Sequence, residues 1–259
     1  MKTMKNISKC LAAILLVVNL SSCVDLEPEP LSFFAPENTF MDKEGLEALL
    51  ITSRKQIKWE WFGDAFNAGY CETPLVYEYA WSDVSVMGAP EVKEIHNLET
   101  QLTPTTSMAL HLRYWDLAWN GIKYANTVIS RVPKSTIDNE TDKNELLAEG
   151  YFHRAYWYYL LVNQWGDVPL LLEEITEPKL DFYTVSRMKI LQQMKTDMEF
   201  AVKWLPKNVK PGCVNRAAGE HLLAKIYLST GDFQLAVDAT TRCINDYGCL
   251  LYTSPSPRD

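Results

Sequence analysis

Histidine is scarce in this chain, four in 259 residues, and none stands in a catalytic arrangement. His96, His111, His153 and His221 form no H-E-x-x-H pair, and neither a nucleophile elbow nor a phosphate-binding glycine loop occurs. Glu149 and His153 are four apart on one helix, a spacing shared by many salt-bridged surface pairs, and Glu220 and His221 are adjacent and point apart. Acids between residues 60 and 83 are numerous, but nothing sets two of them at a glycosidase separation. No enzymatic activity, cofactor or metal is therefore expected. Positive charge is also short: 25 basic against 33 acidic residues give a net −8, with no basic stripe, which excludes nucleic acid as a partner. The six cysteines make no framework and show no metal-ligand spacing. Cys71, Cys213 and Cys243 are left once the termini are set aside; a Cys213–Cys243 bridge stays open, and ordinary small core residues are the preferred reading.

No apolar run is long enough to span a bilayer; Leu11–Leu20 is an h-region preceded by Lys2, Lys5 and Lys9. Residues 1–22 read as a signal peptide, whose removal takes off three positive charges and leaves −11. Leu20-Ser21-Ser22-Cys23 resembles the lipobox of bacterial lipoproteins, which implies cleavage before Cys23, acylation there and anchoring in outer-membrane lipid. Several acyl chains, at about 0.8 kcal/mol per buried methylene, hold where one would not. Asp25, Glu27 and Glu29 resemble a surface-export signal, and residues 23–36, with Pro28, Pro30 and Pro36, read as an extended tether.

What is abundant is helical periodicity. Asp42 is placed to cap a helix running to about Trp59, with Leu46, Leu49, Leu50, Ser53 and Ile57 inward. Residues 59–83 keep no period and mix rings with short acids and amides, which reads as a loop region. Aromatic faces suit the C–H face of a sugar, and the acids its hydroxyls. Trp61, Tyr77, Tyr79, Trp81 and Asp83 are the candidate ligand-binding residues, with Tyr79 and Trp81 the best placed for exposure. The competing reading is that these rings plug the helical core. Residues 84–106 form a long polar loop.

Ser107–Val132 forms a second helix with a Trp115, Ala118, Trp119, Ile122, Ala125, Ile129, Val132 stripe ended by Pro133, with Asn126 as a hydrogen-bonded core amide. Lys134–Glu145 reads as a charged connection. From Leu146 comes the central helix, with seven aromatics among the fifteen residues Tyr151–Trp165, too many to leave in water. Leu147, Tyr151, Ala155, Tyr159 and Val162 share one face, Gly150 and Ala155 admit a close neighbour, and Gly166 and Pro169 stop the helix. A connector spans residues 173–182. Ser186–Leu205 follows with Met188, Leu191, Met194, Met198, Ala201, Val202 and Leu205 inward and Pro206 as its stop. In the last pair, Ala218, Leu222, Ala224, Ile226 and Tyr227 lead to a Gly231-Asp232 turn, and Ala236, Val237 and Ile244 begin the return, in the manner of a tetratricopeptide hairpin. Residues 249–259 break the pattern and read as the non-native or broken end of a longer sequence.

Four clusters carry a wider resemblance. They are W-x-x-x-W-x-x-I-x-x-A-N-x-x-I from Trp115, A-E-x-x-F-x-R-A-Y-x-Y-x-x-L-V from Ala148 closed by W-G-D-V-P-L from Trp165, D-M-E-x-A-x-x-x-L-P from Asp197, and the final hairpin. Together they resemble SusD/RagB-type outer-membrane lipoproteins. The resemblance implies an all-α fold of tetratricopeptide-like hairpins with long irregular loops, its helical domain spanning residues 37–248. It also implies a cell-surface oligosaccharide receptor that closes as a lid over a SusC-like TonB-dependent transporter in nutrient uptake. A RagB-like peptide receptor, or a lipid-anchored helical scaffold without a small ligand, are the rival readings.

Overall fold

The computed structural model describes residues 40–62 and 109–247, all within one compact unit that begins at Phe40. Cys23, the signal and tether segments, Cys71 and the tail from residue 249 lie outside the described residues. The fold is mainly helical, as expected, with six α-helices among the described residues. They are α1 (Lys43–Phe62), α2 (Ala109–Arg131), α3 (Glu140–Gln164), α4 (Arg187–Trp204), α5 (Arg216–Thr230) and α6 (Phe233–Tyr247). Each packs chiefly on its neighbours in the chain, and α3–α4 and α5–α6 make the tetratricopeptide-like pairs.

Asp42 caps α1 as its position promised: Gly45 N donates to Asp42 Oδ1 at 2.8 Å. Leu46, Leu49, Leu50 and Ser53 are buried along it. The helix continues to Phe62, past Trp59, because Glu60, Trp61 and Phe62 all tolerate helix and the first breaker is Gly63. Trp61 therefore sits in the last turn of α1 and not in a loop.

Central helix α3 starts at Glu140, six residues upstream of Leu146, so half of the charged connection is its first turns. Asn139 Oδ1 accepts from Thr141 N at 2.8 Å, and Glu140 and Asp142 suit the positive end of the helix dipole. Burial then runs almost round the whole helix, as the aromatic density demanded, because α2 covers one side and α4 another. This corrects the single-face reading: Leu147, Tyr151 and Tyr159 are half-buried, while Leu146, Phe152, Trp157, Tyr158 and Leu161 are deeper. Gly150 does admit α2 closely, since a Cβ there would lie 3.1 Å from Ile129 Cγ1.

Gly166 and Gly231 take the left-handed conformation, φ +75° and +83°, and end α3 and α5 where their stops were read. Between α3 and α4 the chain makes an unforeseen two-stranded antiparallel ladder, β1 (Val168–Pro169) and β2 (Thr184–Val185), pairing Val168 with Val185. The α4 stripe is buried at Leu191, Met194, Met198, Ala201 and Leu205. Met188 is 45% exposed instead, on the outward side of a first turn whose Ile190 is fully buried. Tyr227 OH donates to Glu199 at 3.0 Å and Lys195 Nζ meets Asp232 at 2.7 Å, fastening the α5–α6 turn to α4. Only the small residues Ala236 and Ala239, with Cys243, face inward on α6. Val237 and Ile244, which with Ala236 read as beginning the return, are 57% and 58% exposed. Cys213 and Cys243 are both free.

Candidate functional site

The signature residues of α3 converge on a buried ionic junction. Arg154 Nε and Nη2 donate to the two oxygens of Asp197 on α4 at 2.7 and 2.9 Å, while Nη1 donates to Asn126 Oδ1 on α2 at 3.1 Å and to the Leu172 carbonyl at 2.8 Å. Gln193 Nε2 donates a further bond to Asp197 at 3.0 Å. Arginine suits this position because its planar fork meets a carboxylate with two parallel bonds and keeps a third direction for carbonyls. Asn126 is the hydrogen-bonded core amide that its place on α2 implied, donating from Nδ2 to the Leu171 carbonyl at 2.9 Å.

The same residues pin the extended segment after Gly166. Leu171 N donates to the Tyr158 hydroxyl at 2.6 Å, and that hydroxyl donates back to the Leu171 carbonyl at 3.2 Å. Burial pushes the Tyr158 hydroxyl well above its ordinary pKa, so it stays a neutral donor. Farther along, Glu174 accepts a two-pronged bond from Arg131 at 2.9 and 2.6 Å, and its N–H donates to Ser130 Oγ at 3.0 Å. A loop without regular structure is thus held along the flank of α2.

The result is a groove of about 630 Å³ between α2 and residues 169–182, within the ~300–1,000 Å³ typical of small-ligand sites. Its helix wall carries Trp115, Trp119 and Ile122, and its loop wall Pro169, Leu171, Ile175 and Phe182. Trp115 and Trp119 are half-buried with ring centroids 5.4 Å apart and planes at 65°, and Trp115 meets Trp165 edge-on at 5.2 Å. Trp119 rests edge-on against Tyr158, centroids 6.1 Å apart, so the ring layer is backed by the α3 core.

A second polar cluster joins α1 to α3. Glu149 accepts from Arg54, with Nη2 at 2.8 Å from Oε2, and Tyr156 OH donates to Glu60 at 2.7 Å. His153 Nε2 lies 3.4 Å from Glu149 Oε1, in ion-pair range but without hydrogen-bond geometry, and the His153 ring is fully buried. Burial opposes ionisation of Glu149, yet the facing His153 and Arg54 outweigh it and hold the carboxyl below its ordinary range. Glu149 and His153 are consequently not a surface pair, as their spacing alone suggested; α1 crosses over them and removes them from water. A ring so enclosed is out of reach of a ligand.

Of the sequence-predicted ligand residues, Tyr77, Tyr79, Trp81 and Asp83 lie outside the described residues, and Trp61 is placed by its backbone in α1. The groove rings Trp115 and Trp119 were legible only as a core stripe; their W-x-x-x-W spacing puts them on one face but says nothing of the loop that leaves them half open. Among the described residues no group of three or more His, Cys, Asp or Glu side chains is placed to hold a metal ion.

Comparison with known proteins points one way. Residues 70–228 match the SusD-like family model described as starch-binding and associating with the outer membrane. SusD-like protein P2 of Formosa agariphila is 27% identical over 238 residues, covering 90% of this chain and 45% of that protein. Among solved structures, a SusD superfamily protein from Bacteroides vulgatus superposes with a TM-score of 0.68 at 20% identity, over 85% of this chain and 46% of that one. A laminarin-binding SusD-like protein gives 0.65 at 23% identity, over 78% and 43%. A crystal structure with xylogluco-oligosaccharide gives 0.64 at 20% identity, over 80% and 41%. The chain thus spans less than half the length of these relatives.

Proposed function

The chain belongs to the SusD-like family, and on that premise we propose that it is a cell-surface, oligosaccharide-binding lipoprotein serving as the lid of a TonB-dependent outer-membrane transporter. The observation that carries this reading is the family match over residues 70–228, whose family is described as starch-binding at the outer membrane. Relatives of the same helical fold that bind laminarin or carry a xyloglucan oligosaccharide support a glycan ligand. Binding rests on stacking and hydrogen bonds, and no bond in the ligand is broken. Residues 1–22 are the signal peptide, Cys23 is the acylated anchor in outer-membrane lipid, and residues 23–36 are the tether to the helical domain at 37–248. Trp61, Tyr77, Tyr79, Trp81 and Asp83 supply ring faces and hydrogen-bond partners to the sugar, and the helical hairpins present a surface to the transporter.

Membrane attachment has a direct test. Expressed in a Gram-negative host fed radiolabelled palmitate, the full chain is expected to incorporate label and to fractionate with the outer membrane. Cys23→Ala is expected to lose both. Label retained by Cys23→Ala would remove the anchoring part of the proposal.

A further inference from the structure

We infer that the groove between α2 and residues 169–182 is a binding site for a neutral oligosaccharide. This inference rests on the glycan-binding reading above and gives it a location in the helical scaffold, separate from the 61–83 stretch. Three features carry it.

The first is the ring layer. Trp115 and Trp119 are half-buried, and Phe182 across from them is 43% exposed with Lys179 Nζ 5.9 Å from its ring centroid, so part of the aromatic surface stays open at the groove mouth. A pyranose presents a flat C–H face that such rings accept, with the rigidity of the aromatic wall limiting the entropy lost on binding. The second is the rim. Asn120, Lys123 and Glu173 line the groove, and among the described residues no intramolecular hydrogen bond or ion pair engages their side chains. They offer an amide, a cationic donor and a carboxylate acceptor, the mix that sugar hydroxyls need, each being both donor and acceptor. The third is charge. Glu174 is already taken by Arg131, so the unengaged charges are one Lys123 cation and one Glu173 anion, which cancel and favour a neutral glycan over a sulfated or uronic one. The walls themselves are set: Tyr158, Asn126 and Arg154 hold residues 171 and 172 before any ligand arrives.

Calorimetric titration of the detergent-solubilised full chain with maltohexaose, laminarihexaose and a xyloglucan heptasaccharide tests this. The double variant Lys123→Ala/Phe182→Ala is expected to weaken binding of the accepted oligosaccharide at least tenfold, with an unchanged melting temperature. Hydroxyl-radical footprinting of the unmutated chain gives an independent reading, in which the same ligand is expected to protect Phe182 and Trp119 from oxidation. Undiminished binding by the double variant, or no protection of those rings, would overturn the groove assignment while leaving glycan binding in place; Trp81→Ala would then carry the loss. A chain that binds none of the three overturns both.

Discussion

Arg154→Ala is expected to destabilise the protein by about 3–5 kcal/mol, because it leaves the Asp197 carboxylate buried without its partner. Both side chains of the pair are under 5% exposed, so water cannot replace the guanidinium. The loss also strips a donor from the Asn126 amide oxygen and from the Leu172 carbonyl. Chemical denaturation measures the effect. The double variant Arg154→Met/Asp197→Leu is expected to recover most of it, since apolar residues of similar volume often replace a buried ion pair at little cost. This separates the penalty of an orphaned charge from the contribution of the pair itself. A loss under about 1 kcal/mol in the single variant, within the range of an exposed ion pair, would mean that the junction is hydrated and does not organise the three helices.

Gly121→Ala is expected to be of similar severity for a steric reason. A Cβ on Gly121 would lie 1.9 Å from Trp157 Nε1, 2.3 Å from its Cδ1 and 2.4 Å from its Cε2. Trp157 is fully buried, so the indole has no free volume to retreat into, and α2 and α3 must separate locally. Overpacking of this kind costs about 1–3 kcal/mol and at times more; the closeness of three contacts puts Gly121→Ala at the upper end, roughly 3 kcal/mol. Trp157→Phe removes the indole N–H, which has no hydrogen-bond partner, together with part of the clashing ring. Combined with Gly121→Ala it is expected to lose less stability than the two single changes summed, the coupling that neighbours in contact show. Gly121→Ala melting with the parent protein would contradict this close approach of α2 to α3.

These two residues also mark where sequence reading stops. Local signals carried the helices well. Pro133, Gly166, Pro206 and Gly231 end elements through their own backbone chemistry, and Asp42 begins one through its carboxylate on the nearby Gly45 N–H, none of which needs a distant partner. Gly121 shows the opposite case. In the sequence it is a helix-weakening residue inside a clear stripe, and its reason is the Trp157 indole, contributed by another helix. Likewise a helix covered on two sides, as α3 is, has no single apolar stripe to read, and its start lies inside the charged run Lys134–Glu145, where Asn139 caps it. Glu149 and His153 looked like a surface pair until Arg54 brought α1 across them.

The candidate groove was half legible for the same reason. Its helix wall was visible as the spacing of Trp115, Trp119 and Ile122, but the opposite wall is a segment without period. That segment's place depends on bonds from Tyr158, Asn126 and Arg131. Phe182 drew no attention in the sequence because nothing local says that a ring in a connector will face two tryptophans.

The central claim is that this chain binds a glycan, and affinity electrophoresis tests it most directly. The full chain would be run in native gels cast with soluble starch, laminarin or xyloglucan, beside a non-binding control protein. Retardation in at least one polysaccharide gel, reversed by the matching free oligosaccharide, is the result predicted. Migration identical to the control in all three would contradict glycan binding and leave a helical scaffold without a sugar ligand.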